Sequence, residues 1–500
     1  MGILKSFTGR INESPEKLLH EEVLEPQFLY EVEHLLSKYV KIEQVMLIEY
    51  VRMGYIQKSD ASKINRLLQS ITAESLIADP NLNMSDILFA IESYVDSSIS
   101  KPIPGWHMDR SRNDVQACAQ LMFAREQWLI LIANLEQLIE SLISLALKYY
   151  ETPMPGYTHY QSAQIITPGF YLSAIIDELL LILRSWIQEY NYINICPLPA
   201  GAMAGVELEW DSSALANLLG FKEPSSNALK SVASRQWSLQ FSAELSNFGV
   251  LTSRFVTDLL YWGSSEVAFI DLPGNLSGIS SAMPQKKNFP ILERVRGKCA
   301  HLSGLHFDIV LGQRNTPYTN LIETSKEAGS FFFQLCKTGN TIMILLNTIV
   351  NNLNFLEEKM LVHCKQDFFG GFTLANLLTK EENIPYRIAQ VIVGRYIVTA
   401  SEQGLKPEDV QPMLLQEKCS EEGFVICNPK NMLKRAFLVQ NNLVEKQSLG
   451  STHPDRVFEL LTNQSKELIE INAIVEDLRI KLKNSDEDLL KGISEFSKKK

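Results

Sequence analysis

Ser277-Gly-Ile-Ser-Ser-Ala-Met-Pro-Gln-Lys-Lys-Asn288 reads as a loop built to hold an anion. Its small residues let the backbone approach a ligand closely, and Lys286, Lys287 and Asn288 offer donors to carboxylate oxygens. On either side the apolar residues fall at helical spacing, which predicts helices at about 228–262, 291–312 and 323–352. The loop therefore joins long helices.

The helical pattern is strongest upstream. Trp128, Leu131, Ile132, Leu135, Leu138, Ile139, Leu142, Leu145 and Ala146 recur at steps of three and four. Leu129, Ile130, Ile143 and Leu147 make a second apolar face. A helix apolar on two sides belongs inside a bundle or at a subunit interface. Leu172, Ile176, Leu179, Leu183 and Trp186 repeat the pattern just after Thr167-Pro168-Gly169, a helix entrance. These stripes read as core packing, and alternating strand patterns are scarce. Functional residues are expected on the joints at 101–114, 151–162, 193–206, 263–290 and 313–322.

A chain of 500 residues, 45% of them apolar, has room for about three domains. Its net charge of −11 argues against nonspecific nucleic-acid binding, so an anionic substrate needs a locally cationic pocket. Seven scattered cysteines without CxxC spacing fit a reduced compartment and suggest no zinc site. No signal-peptide core and no uninterrupted membrane-length apolar run is read, so the expected address is the cytoplasm. Met1-Gly-Ile-Leu-Lys-Ser6 formally matches a myristoylation pattern, one short enough to arise often by chance. The final Ser-Lys-Lys-Lys reads as a solvated tail.

Three further joints carry chemistry-bearing residues. His107-Met-Asp-Arg-Ser-Arg-Asn-Asp114 sets an arginine fork beside an orienting amide. Met154-Pro-Gly-Tyr-Thr-His-Tyr-Gln161 offers a histidine, whose moderate basicity suits it to carry protons near neutral pH. Pro197-Leu-Pro-Ala-Gly-Ala-Met-Ala-Gly205 is a glycine-rich turn that serves backbone geometry.

Taken together, these segments resemble the fumarase/aspartase superfamily, and the Gln-Lys-Lys-Asn form of the signature is most similar to the argininosuccinate lyase family. The resemblance runs in order over roughly residues 100–400. It implies an all-α fold with a long central helical bundle: a helical domain at 1–106, a bundle domain with the signature loop at 107–360, and a helical domain at 361–500. It implies elimination of fumarate from an N-succinyl dicarboxylate, with arginine as the other product, and requires neither metal nor organic cofactor. Ser280 would be the base, and His159, oriented by Glu293, would take part in proton transfer. Arg112, Asn113, Thr158, Lys286, Asn288, Tyr318, Glu323 and Lys326 fall on substrate-binding positions. It also implies a homotetramer with each site made from three subunits, and no nucleic-acid or membrane partner.

The chain departs from the family pattern in several places. Asp86-Ile-Leu-Phe-Ala-Ile-Glu92 lacks the family's histidine, Met108 and Asp109 stand for Thr-Gly, and Glu323 stands for glutamine. Lys230, Ser234 and Gln236 replace acidic residues downstream of Asn227. Ile279 takes a glycine's place beside Ser280, which restricts φ there, and Asn288-Phe289-Pro290 replaces Asn-Pro-Asp. The first group touches the leaving-group side, so a lyase for another N-succinyl amine is the alternative. A non-catalytic protein on the same scaffold has no physical need for Ser280, His159, Lys286 and Asn288 together.

Overall fold

The computed structural model describes residues 13–497, so the Met1-Gly2 pattern and the final lysines lie outside the described residues. Helices α1 (Glu25–Arg52), α2 (Lys58–Ser70) and α3 (Ile87–Ser97) lead into α4 (Arg112–Lys148), the centre of the molecule. Ser111 starts α4 by accepting from the Asn113 N–H at 3.2 Å. Trp128, Ile132, Leu135, Leu138, Ile139 and Leu142 are all fully buried along it. This helix is long and apolar enough to cross a membrane, but most of its apolar window is buried among its neighbours in the bundle.

A two-stranded antiparallel hairpin, β1 (Met154–Thr158) and β2 (Gln161–Ile166), then leads into α5 (Pro168–Ile193). Thr167 caps α5 by accepting from the Phe170 N–H at 3.0 Å. Gly169 is required next to it, because a Cβ there would lie 2.7 Å from the Ala146 carbonyl oxygen. The Trp128 indole donates to the Trp186 carbonyl at 2.6 Å, tying α4 to α5 deep in the core. The bundle is completed by α6 (Gln236–Trp262), α7 (Pro290–Gln313) and α8 (Phe332–Asn352).

Two expected helices start later than their periodicity predicts. Residues Ala228–Ala233 form a separate short helix, because Ser234 is extended and Arg235 turns inward before α6 begins. Likewise Ile322–Ser325 is a short turn of helix, and the long helix of that segment begins at Phe332.

Towards the carboxy terminus, α9 (Gly371–Glu382), α10 (Tyr386–Glu402) and α11 (Pro429–Phe437) enclose a core of their own around Leu374, Leu378, Ile392 and Leu433. The last helix, α12 (Pro454–Ser494), leaves that cluster and packs Leu461, Leu468, Ile471 and Val475 into the main core. Gln464 fastens it to α5 by donating to the Ser173 carbonyl at 2.8 Å.

Candidate active site

Between α6 and α7 the signature segment folds into a second small hairpin, β3 (Gly278–Ile279) against β4 (Lys287–Asn288), with residues 280–286 at its tip. Lys287 anchors its base, donating to Asp271 Oδ1 at 2.6 Å and to the Leu272 carbonyl. Phe289 is buried against Gly263, where a Cβ would lie 2.9 Å from the ring. Ile279 is extended and 94% exposed, so isoleucine meets no strain at a position where the family has glycine. Lys287 and Phe289 thus hold the hairpin while Lys286 projects, exposed and without an ion pair among the described residues. At the tip, Ser280 Oγ accepts from the backbone N–H groups of Ala282 at 3.3 Å and Met283 at 3.0 Å.

His159 and Tyr160 are the two central residues of the β1–β2 turn, with Thr158 paired to Gln161 across it. Both have positive φ, +54° and +60°. A two-residue hairpin requires that geometry and usually meets it with Asn-Gly, so two bulky residues here are held under backbone strain. Gly156 lets the strands close, since a Cβ would sit 2.9 Å from the Gln164 carbonyl oxygen. Thr158 and His159 are exposed, and Glu293, in the first turn of α7, makes no bond to His159 within the chain among the described residues.

Arg112 opens α4, where Nη1 pairs with Asp86 Oδ2 at 2.8 Å and the guanidinium lies 4.3 Å from the Phe89 ring centre. Asp86 also caps α3, accepting from the Leu88 N–H at 3.0 Å. Asn113 donates to the Ala202 carbonyl at 3.3 Å, and the Asp114 carboxylate accepts from Ala200 and Gly201 N–H groups at 3.0 and 2.8 Å. This locks the glycine-rich turn onto α4. Asp109 occupies the left-handed region (φ +61°) and takes glycine's place by anchoring its carboxylate to the N–H groups of Glu207, Leu208 and the Trp210 indole.

Beneath Arg112 a cleft of about 340 Å³ contains Glu43, Glu92, His107 and Arg110. Arg110 and Glu43 form a buried bidentate pair. Burial pushes the Glu92 carboxyl up to about 7, helped by Asp96 and Glu43. Burial and then Arg110 push His107 down to about 3, so its Nδ1, 3.9 Å from Glu92, makes no ion pair near neutral pH.

Lys326 lies at the edge of a second cavity, of about 380 Å³, between the amino-terminal helices and α8. Its ammonium pairs with the buried Glu31 carboxylate. On the same wall Arg235 is buried; Nη1 donates to the Val232 and Ser234 carbonyls at 3.0 and 2.9 Å, while Nε and Nη2 find no acceptor among the described residues. Burial lowers this guanidinium to about 10. Tyr318, 63% exposed, and Glu323 stand outside the cavity. Neither Ser280 nor His159 lines this cavity or the Arg112 cleft, and no hydrogen bond joins them among the described residues. Among the described residues no group of three His, Cys, Asp or Glu side chains is placed to hold a metal.

Glu31, Glu43 and Arg110 are site-lining partners to which sequence reading gave no role, whereas Arg235 falls, with Asn227, on a position matching a further segment of the family. Glu31 and Glu43 sit on the buried stripe of α1, and an acidic residue in an apolar stripe is the signal that points to them.

Residues 51–304 match the lyase family model. The chain is 31% identical over 409 residues to the argininosuccinate lyase of Campylobacter hominis, covering 81% of this chain and 87% of that one. It belongs to the argininosuccinate lyase family. Argininosuccinate lyase 1 of Shouchella clausii is 28% identical over 486 residues, 96% of this chain and 97% of its own. Among solved structures, EDDS lyase in complex with formate superposes with a TM-score of 0.83 at 24% identity, covering 99% of this chain and 97% of that one. Class II fumarase from Schistosoma mansoni shares the fold, with a TM-score of 0.66 at 17% identity, covering 87% and 94%. The family places the chain among the carbon–nitrogen lyases, with the all-α fold of the fumarase/aspartase superfamily.

Proposed function

We propose that this lyase cleaves argininosuccinate to fumarate and arginine, with Ser280 as the base. Such an elimination removes a weakly acidic proton from the carbon beside a carboxylate, and the electron pair left behind expels nitrogen from the neighbouring carbon. Charge builds on the carboxylate, which becomes an aci-carboxylate. Preplaced Lys286 and Asn288 would stabilise that charge, and electrostatic preorganisation of this kind is usually the largest catalytic term.

The observation that carries the reading is the pair of backbone donors on Ser280 Oγ. A serine is normally neutral, and donors aimed at its oxygen favour the ionised form that a base requires. His159 either protonates the departing nitrogen or organises the base, and its strained turn is the kind of backbone found at working sites. Arg112, Asn113 and Thr158 bind substrate carboxylate, while Tyr318, Glu323 and Lys326 face the leaving group.

Ser280 and His159 stand on separate hairpins with no bond between them, which supports a site completed by other copies of the chain. Leu181, Val250, Phe307, Leu311 and Ile344 are exposed on α5 to α8, apolar surface that a homotetrameric bundle would cover. Incubation of the protein with argininosuccinate should release fumarate, followed by its ultraviolet absorbance. No release would overturn the assignment.

A second reading, cleavage of a different N-succinyl amine, draws on the leaving-group side. There Glu323 replaces glutamine and Lys326 is already neutralised by Glu31. Fumarate release from other N-succinyl compounds, but not from argininosuccinate, would establish it.

A further inference from the structure

A cleft of about 490 Å³ opens between the His159 hairpin and the carboxy-terminal cluster. Gln164 and Ile166 of β2 form one wall, Thr373 of α9 another, and the segment holding Lys446 and Thr452 closes it. Lys446 is half-buried and has no carboxylate at ion-pair distance among the described residues. Among the described residues its Nζ donates to Thr373 Oγ1, at 3.3 Å, and lies 5.4 Å from the Phe372 ring centre. That hydroxyl already accepts from Asn442 Nδ2 at 3.0 Å, so its own proton is left to donate elsewhere. Thr452 is 6% exposed, and its Oγ1 has no partner among the described residues.

Nearby charges do not cancel this excess of donors. Arg435 holds Glu445 with two bonds, Nε to Oε1 at 2.6 Å and Nη2 to Oε2 at 2.9 Å, and also reaches Glu381. One guanidinium is thus shared by two carboxylates, and Lys380 at the rim offsets the remaining negative charge, which leaves the ammonium of Lys446. An ammonium and two hydroxyls with protons to spare, set in a partly desolvated cleft, are costly unless an acceptor fills it. Burial lowers the Lys446 amine, with Glu445 acting against that shift.

We propose that this cleft binds a small anion, a carboxylate or phosphate group, held by Lys446 Nζ and the hydroxyls of Thr373 and Thr452. The bound anion bridges α9 and the segment that leads into α12, against the wall formed by Gln164 and Ile166 of β2.

Calorimetric titration of the full-length protein with inorganic phosphate, and separately with succinate, tests this. Lys286→Met is present throughout, so that the signature hairpin contributes no anion site. One anion should bind per chain, and adding Lys446→Met should weaken it by at least about tenfold, the scale of a lost charge-assisted hydrogen bond. Lys446→Arg should retain most of the affinity, and Thr452→Val should weaken it several-fold. These two variants keep the test valid if Lys446→Met folds poorly. Binding of phosphate alone or succinate alone, weakened by Lys446→Met or Thr452→Val, supports the site and names its ligand. No binding of either anion, or affinity unchanged by both Lys446→Met and Thr452→Val, would overturn the proposal.

Discussion

At the two hairpins the groups expected to do chemistry face solvent, whereas Arg112 and Lys326 each already hold a carboxylate, from Asp86 and from Glu31. The signature hairpin is fixed at its base by Lys287 and Phe289, while in the other Gly156 lets the strands close and Tyr157 and Tyr160 lie edge-on against Tyr261 of α6. One region is thus positioned but unfinished, whereas in the other Arg112 and Lys326 are paired within a single chain, and Arg235 beside Lys326 keeps two donors without an acceptor among the described residues. A charged group paired inside its own chain is stable there, while an unpaired donor set on a rigid base awaits a ligand or another subunit.

The largest test of the unfinished region is Ser280→Ala. Turnover should fall by at least about a thousandfold with substrate affinity largely kept, since the lost group acts in the transition state. A variant within tenfold of the parent would remove Ser280 from the role of base.

Next in size is the division of the site between chains. His159→Asn should lose at least about a hundredfold in turnover, the scale of a lost proton-transfer group. Asparagine tolerates positive φ better than histidine, so the melting temperature should hold or rise. Co-assembled His159→Asn and Ser280→Ala chains should recover part of the activity, because some sites receive neither substitution. Co-assembled mutants that stay dead, while each alone is folded and tetrameric, would show that both groups serve one site from one chain.

At the exposed rim beyond the Lys326 cavity, Glu323→Gln should change the preference among N-succinyl substrates several-fold, more than it changes the rate of proton abstraction. The added carboxylate favours a cationic leaving group, and its removal erases that bias. Comparing kcat/KM for argininosuccinate with that for a neutral N-succinyl amine decides it; equal losses on both would place Glu323 outside the specificity pocket.

The same contrast explains what could be read in advance. Long stripes such as Trp128 to Ala146 announce a bundle, because core packing repeats every three or four residues. Motifs on the joints were legible as residues. Their geometry was not: β3 and β4 are two residues each, too short for an alternating pattern, and His159-Tyr160 lacks the Asn-Gly that marks a two-residue turn. Arg235 breaks an expected continuous helix for a tertiary reason, its burial against the Lys326 cavity. The pairings of Glu31 with Lys326 and of Glu43 with Arg110 span so much chain that only the folded structure brings them together. The return of α12 to the main core is equally long-range, since its apolar stripe does not say which core it joins.

The smallest effect separates the two regions by pH. Glu92 in the Arg112 cleft has its carboxyl raised to about 7, above the usual carboxylate range, by burial and by neighbouring Asp96 and Glu43. The folded state therefore holds that proton more tightly than the unfolded chain does. Its contribution to stability is complete below the unfolded value near 4.5 and is lost as pH rises through about 7. Glu92→Gln keeps the shape without the titrating proton, so the variant should gain on the parent as pH rises from about 5 to 8. After allowance for the solvent-facing part of the side chain, the gain should be about 1–2 kcal/mol. His107, lowered to about 3, contributes in the opposite sense, losing stability as pH falls from about 6.5 towards 3. Denaturant unfolding of parent and variant at both ends of the range measures the difference directly. A constant gap between them would mean that Glu92 is ionised in the folded cleft and that the packed region is less dry than its geometry implies.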